Sequence, residues 1–206
     1  GLWGRGGQVT TTTAEAWLGR SLEAEPSIDA VVLRYLAAFG PATVADVATW
    51  SRLTGFREVL DRLRPHLWTF RDERGRELFD LPDAPRPDPD TPAPVRFLPE
   101  YDNVFLSHAD RSRFLRPEHR DELGAAFERG QGSVLSDGVV RCAWRLDREP
   151  GAGRSVLTVR SVGRLSARDE AAIEAEGGRL LALLAPGARP EVCVVASDPG
   201  ANVTRT

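Results

Sequence analysis

The chain has 206 residues, 41% of them hydrophobic and 28% charged, with a formal net charge of −3. That composition fits a folded globular protein with room for one large core or two small ones, and it excludes a disordered chain. No apolar run nears bilayer-crossing length and no signal peptide is recognisable, so a cytoplasmic protein without membrane contact is expected. All 27 basic residues are arginine, and the net negative charge excludes a global basic field; nucleic-acid binding would have to come from a local patch.

Gly1 to Gly7 is glycine-rich around Trp3 and reads as coil, Thr10 to Thr13 favours strand, and Ala14 to Leu18 followed by Gly19 reads as a short helix. With no methionine anywhere and Gly1 at the start, residues 1–26 read as the end of a preceding region. From Ser27, a candidate N-cap, Ile28, Val31, Val32, Tyr35, Leu36 and Phe39 recur at helical spacing until Gly40 and Pro41 end the run. Thr43 with Asp46 three residues on forms a capping-box pattern, and Val44, Val47, Ala48 and Trp50 carry the apolar side of a second helix. After a turn at Ser51 to Gly55, the spacing of Phe56, Val59, Leu60 and Leu63 predicts a third helix, stopped by Pro65. Leu67 to Arg71 and Arg76 to Leu81 flank the turn Asp72-Glu73-Arg74-Gly75 and predict a hairpin. Helix-turn-helix spacing followed by a hairpin predicts a winged-helix domain over residues 27–82.

Residues 83–94 are proline-rich and too polar to bury, so they should run as an extended spacer. Residues 95–206 read as a β-rich domain. A helix is expected at Glu118 to Arg129, then strands at Ser133 to Ser136 and Val139 to Leu146 around Asp137-Gly138, a pair suited to a type I′ turn. Val140, Cys142, Trp144 and Leu146 alternate with Arg141, Ala143 and Arg145, which predicts one buried and one wet face. Gly151-Ala152-Gly153 turns into a strand at Ser155 to Val162. Ser166 and Asp169 start a helix running to Leu184, and Val192 to Val195 is the last strand. The fold class is α+β: a winged helix followed by a small, mostly antiparallel sheet or partial barrel with a helix packed on it. Cys142 and Cys193 are too few for a disulfide framework or a zinc site and are expected reduced and buried.

Two regions carry candidate chemistry. In the first, the third helix and hairpin place Arg52, Thr54, Arg57, Arg62, Arg64, Arg71, Arg74 and Arg76 where a winged helix would meet duplex DNA. Residues 51–77 hold seven arginines against five carboxylates, a local excess of only two, and Glu58 with Arg62 has the spacing of a surface ion pair. The second is the central stretch from Arg96 to Arg113. Glu100, Asp102, His108 and Asp110 there resemble metal ligands in kind, but their spacing matches no metal motif, and the neighbouring arginines make a structural ion-pair junction the better reading. Arg111 and Arg113 are further candidates to face DNA. No nucleophile-elbow sequence surrounds Ser107 or Ser112, and Gly4-Arg5-Gly6-Gly7 lacks the residues of a phosphate loop. No cofactor, metal or catalytic residue is assigned.

Arg34-Tyr35-Leu36-Ala37-Ala38-Phe39-Gly40-Pro41-Ala42-Thr43 resembles a signature of the bacterial winged-helix DNA glycosylases typified by AlkZ and YcaQ, as do Trp50, Leu53, Thr54 and Gly55. So do Leu98-Pro99-Glu100-Tyr101-Asp102-Asn103 and Leu106-Ser107-His108-Ala109-Asp110-Arg111. The Asp137-Gly138 hairpin with Trp144 is similar to the β-barrel of that family. The resemblance implies binding of alkylated or crosslinked DNA, and hydrolysis of the N-glycosidic bond of a damaged base. It also implies a Gln-x-Gln or Gln-x-Asp catalytic pair, which this chain lacks. Gln8 precedes Val9 and Thr10, and Gln131 precedes Gly132 and Ser133. The expectation is therefore the C-terminal portion of such a protein: a monomer that binds double-stranded DNA, damaged duplex included. A winged-helix transcription regulator and a protein-interaction module are the alternatives.

Overall fold

A computed structural model describes residues 7–8, 10–149, 154–187 and 189–196. The expected coil at 1–6 and the turn at 151–153 lie outside the described residues. Thr10 to Thr13 forms no strand. Thr13 instead caps helix α1 (Ala14–Leu18), its hydroxyl accepting the Ala16 N–H, and α1 buries none of its side chains.

Three helices follow where the apolar spacing put them: α2 (Ile28–Phe39), α3 (Val44–Ser51) and α4 (Phe56–Leu63). Ser27 caps α2. At α3 the capping box is complete, because the Asp46 N–H donates to the Thr43 hydroxyl at 3.2 Å and the Thr43 N–H donates to the Asp46 carboxylate at 2.8 Å. Between α2 and α3 only glycine fits at position 40, since a Cβ there would stand 2.3 Å from Asp80 Oδ1 and 2.7 Å from the Leu36 carbonyl. Helix α4 buries Phe56, Val59, Leu60 and Leu63, one face at i, i+3, i+4 and i+7. Pro65 does not end it abruptly but lies in a 3₁₀ turn, Arg64–His66, where its missing N–H costs nothing.

Strands β1 (Trp68–Arg71) and β2 (Glu77–Asp80) then pair antiparallel, Trp68 opposite Asp80 and Arg71 opposite Glu77. Ala42, in the α2–α3 loop, bridges Phe79 of β2 with two backbone bonds of 2.9 and 2.8 Å. The hairpin thus closes over one core, in which Tyr35, Leu36, Phe56, Leu60 and Phe79 are fully buried. Each such side chain stabilises the fold by about 1.5–3 kcal/mol on burial.

The proline-rich spacer contains no regular element, yet it is pinned. The Arg86 guanidinium lies 4.3 Å from the Trp68 ring centroid and donates to the Pro82 and Ala84 carbonyls, both at 3.1 Å.

Beyond the spacer, β3 (Arg96–Leu98), β4 (Gly132–Ser136), β5 (Val139–Glu149), β6 (Arg154–Ser161) and β7 (Arg189–Ala196) form one sheet in the order β3-β4-β5-β6-β7. Helices α5 (Asn103–Leu106) and α6 (Arg120–Glu128) precede β4, with a 3₁₀ turn at Pro117–His119, so the helix expected from Glu118 begins two residues later. Asp137 and Gly138 have φ 51° and 71°, the pair of left-handed residues a type I′ turn requires.

The sheet is mostly antiparallel, as expected: β3-β4, β4-β5 and β5-β6 pair antiparallel, and β7 alone pairs parallel, to β6, with α7 (Ala167–Leu184) as the crossover; no pairing of β3 with β7 closes a barrel among the described residues. Parallel neighbours need a crossover of this kind between them. One expectation needs correction: neither face is wet. The β4–β5 register shifts between Val134 and Leu135, so that Val134 faces Cys142 while Leu135 faces Val140. Arg141 is the extra residue, and this bulge reverses the alternation. Val140 and Ala143 therefore pack with Phe105, Phe114, Leu123 and Ala126, while Cys142 and Trp144 pack with Leu157, Ile173 and Leu181 of the opposite side. The sheet is covered on both faces. Of the two cysteines, Cys142 is buried, its thiol pushed up to about 12 by burial, but Cys193 is exposed. No helix among the described residues is long and apolar enough to cross a membrane.

Candidate nucleic-acid interface

Helix α4 enters from a left-handed Gly55, φ 87°, and has no side-chain N-cap, so its first backbone N–H groups are left to outside acceptors. Arg52 sits just before it, at φ 61° where it caps α3, and is exposed, as are Thr54 and Arg57. Arg52 and Arg57 have no side-chain hydrogen bond or ion pair among the described residues.

The other arginines of this region are engaged. Arg62 pairs with Asp29 of α2 rather than with Glu58, the partner its helical spacing suggests. Arg64 forks onto Glu77 of β2 at 2.6 and 3.0 Å and onto Asp61 at 3.0 Å, which fixes the end of α4 to the hairpin. Arg71 donates to the Gly75 carbonyl at 3.0 Å. Arg74 and Arg76 both reach Asp110, at 2.9 and 2.7 Å, and Arg76 also holds Asp72 at 2.6 Å.

Asp110 belongs to the central stretch, which the structure wraps against α2, α3 and the hairpin. The Tyr35 hydroxyl donates to the Ser107 carbonyl at 2.6 Å. Asp46, 2% exposed, accepts the Ala109 N–H at 2.8 Å with the carboxylate oxygen its own capping box leaves free. Arg113 donates to the Pro41 carbonyl at 3.2 Å. His108 is buried between Phe39 and Phe114, and burial, with Arg113 beside it, pushes its imidazole below the ordinary value. The Ser112 backbone N–H, then its hydroxyl, then Arg76 hold the Asp110 carboxyl well below the usual carboxylate range.

The four residues named as a junction divide by role. Asp110 makes ion pairs, His108 packs, and Asp102 caps α5 by accepting the Val104 N–H at 2.9 Å. Glu100 is exposed and has no ion pair among the described residues. No group of three or more His, Cys, Asp or Glu among the described residues could hold a metal ion. Asp46 is the junction group that sequence reasoning missed. It was visible only as a cap, and its second role needs a partner 63 positions away that no local pattern announces. A groove of about 300 Å³ between the hairpin turn and this stretch is lined by Thr43, Asp46, Asp72, Arg74, Arg76, Asp110 and Arg113. Of its carboxylates, Asp46, Asp72 and Asp110 are already held by its own arginines and backbone, while Glu73, also on its lining, has no hydrogen bond or ion pair among the described residues.

These elements define an α+β protein: three helices closed by a hairpin, a buried polar junction, and a two-faced mixed sheet. The chain belongs to the AlkZ-like DNA glycosylase family, whose model matches residues 1–183. Among solved structures it is similar to the DNA glycosylase AlkZ of Streptomyces sahachiroi, with a TM-score of 0.63 and 23% identity. That likeness covers 88% of this chain and 50% of AlkZ, so the chain spans about half the length of that protein, and at this identity the likeness speaks for the fold. No curated protein sequence matches the chain.

Proposed function

We propose that this chain is a winged-helix, DNA-binding protein of DNA glycosylase type, which holds duplex DNA for the repair of alkylated or crosslinked bases. The observation that carries the reading is the exposed pair Arg52 and Arg57, neither with a hydrogen bond or ion pair among the described residues, at the open N-terminus of α4, in a chain of a DNA glycosylase family. Free guanidinium groups beside uncapped N–H groups suit a phosphate, by charge and by donor geometry. Thr54 adds a hydroxyl at the same edge, and Arg71, Arg111 and Arg113 extend the cationic surface.

The winged-helix reading is supported by the Ala42–Phe79 bridge, which seats the hairpin on the α2–α3 loop as the base of a wing. It divides the chain into a winged helix at 27–82, a spacer at 83–94 and a β-rich domain at 95–206, with 1–26 leading in. The protein acts as a monomer in the cytoplasm. N-glycosidic hydrolysis is assigned to no residue of this chain, because the Gln-x-Gln or Gln-x-Asp pair is absent from its sequence.

The test is an anisotropy titration of labelled duplexes at several salt concentrations. Repair-type binding predicts sequence-blind affinity that falls steeply with salt and rises for an alkylated duplex. Selective binding of one operator sequence would favour a transcription regulator instead, and no binding even at low salt would overturn the reading.

A further inference from the structure

A second cavity, of about 360 Å³, lies along α2. Val31, Arg34, Tyr35 and Ala38 line it from one face of that helix, at i, i+3, i+4 and i+7, with Phe39 and Trp50 beside them. The Tyr35 ring stands 5.4 Å from Phe39 and 5.1 Å from Trp50 between centroids, and its hydroxyl is already taken by the Ser107 carbonyl. The lining is therefore apolar and aromatic except for Arg34, which is exposed and makes no hydrogen bond or ion pair among the described residues. A groove of this kind suits an apolar occupant with a carboxylate at its rim.

The chain carries such a segment. Helix α1 is a single turn of five residues, capped by Thr13 and by a left-handed Gly19, φ 63°, whose N–H donates to the Glu15 carbonyl at 2.8 Å. A helix so short is not stable by itself in water. Yet α1 buries none of its side chains, and Trp17, Leu18 and Leu22 are 80%, 54% and 63% exposed. Ala14, Trp17 and Leu18 share one side at i, i+3 and i+4, and Glu15 borders it, exposed and with no side-chain hydrogen bond or ion pair among the described residues. The reach suffices. Nine residues, 19–27, join α1 to α2. Extended, they span about 30 Å, and the cavity lies about 5–15 Å along α2.

We propose that residues 14–25 form a strap that closes on this groove, Trp17 and Leu18 in the cavity and Glu15 on Arg34, and that the closed strap competes with duplex DNA. The groove ends at Trp50, two residues before Arg52. Closure thus brings a segment with three carboxylates, Glu15, Glu23 and Glu25, against one arginine, Arg20, to the helix that leads into the phosphate-holding edge. This part rests on the duplex-binding reading; closure itself does not.

The test uses the whole chain. The difference in emission between the wild type and Trp17→Phe, which keeps an aromatic ring for the groove, isolates Trp17. Without DNA, that emission should be blue-shifted and shielded from acrylamide. Arg34→Glu should expose it, and Glu15→Arg added to that variant should restore the shielding. Freely quenched, solvent-like emission from Trp17 in the wild type overturns the strap. Shielding that grows with protein concentration assigns the groove to a second copy and overturns it as well. Competition is read by anisotropy of a labelled duplex at low salt. A strap closed nine-tenths of the time lowers the apparent affinity about ten-fold, so Trp17→Ser should tighten binding by about that factor. Equal affinity of the two overturns the competition. Failure of both to bind overturns the duplex-binding reading, while the emission still reports closure.

Discussion

The Tyr35 hydroxyl and the Ser107 carbonyl, 72 positions apart, share a buried hydrogen bond of 2.6 Å. With Asp46 accepting the Ala109 N–H, it makes the central stretch a fixed part of the three-helix unit, so the surface bearing Arg52 and Arg57 has a rigid relation to Asp110 and Arg113. Tyr35→Phe leaves the Ser107 carbonyl buried without a donor and should cost about 1–3 kcal/mol, read as a lowered urea midpoint with an unchanged slope. An unchanged midpoint would mean that packing alone seats the stretch.

Gly132→Ala should be more disruptive than its size suggests. A Cβ there would lie 2.3 Å from Trp144 Nε1 and 2.5 Å from the Leu98 carbonyl, the two groups that share a 2.8 Å bond across β3 and β5. One side must move, at a cost of about 1–3 kcal/mol, and tryptophan emission during thermal unfolding reports it directly.

His108 predicts an acid-sensitive fold. Its imidazole sits in the core with Nδ1 unpartnered and its folded value depressed, so the unfolded chain takes up the proton first as pH falls. Stability should be full above the ordinary histidine value of about 6.5 and decline below it, toward the folded value. His108→Phe should flatten that part of the stability–pH curve, measured by urea unfolding across mildly acid pH. An equal slope in the variant would exclude His108 as its source.

Asp110 has the opposite sign. Its carboxyl is held low, so the stability it contributes is present at neutral pH and is lost only below the ordinary aspartate value of about 3.9, as pH falls through the folded value. At neutral pH it also occupies Arg74 and Arg76. Asp110→Asn should free Arg74 for phosphate, while Arg76 stays on Asp72, tightening duplex binding a few-fold and steepening its salt dependence by about one unit of slope. Weaker binding by the variant would show that the ion pairs place the hairpin for DNA instead of withholding it.

Local patterns were the legible part of this sequence. Thr43 with Asp46, the face of Phe56, Val59, Leu60 and Leu63, and the Asp137-Gly138 turn each lie within a few residues, and each formed as its spacing dictates. What escaped was set by pairing at a distance. The extra residue at Arg141 put Val140 and Cys142 on opposite faces, and only the register with β4 reveals it. The parallel seat of β7 depends on α7 spanning the sheet, which the apolar run from Val192 to Val195 cannot encode, since such a run serves either direction. In the site, charge type was readable and charge pairing was not. Arg62 chose Asp29 in another helix, and Arg74 and Arg76 chose a carboxylate beyond the spacer.

The most direct measurement is duplex affinity at low salt for the wild type against Arg52→Glu/Arg57→Glu. Both residues are exposed and neither makes a hydrogen bond or ion pair among the described residues, so the reversal leaves the core untouched; Arg57 lies near enough to Glu77 to act on it, so the unfolding midpoint is measured alongside. Loss of binding by about ten-fold or more, with a shallower salt slope and an unchanged unfolding midpoint, is the predicted result. Full affinity in the folded double variant would contradict the placement of DNA on α4.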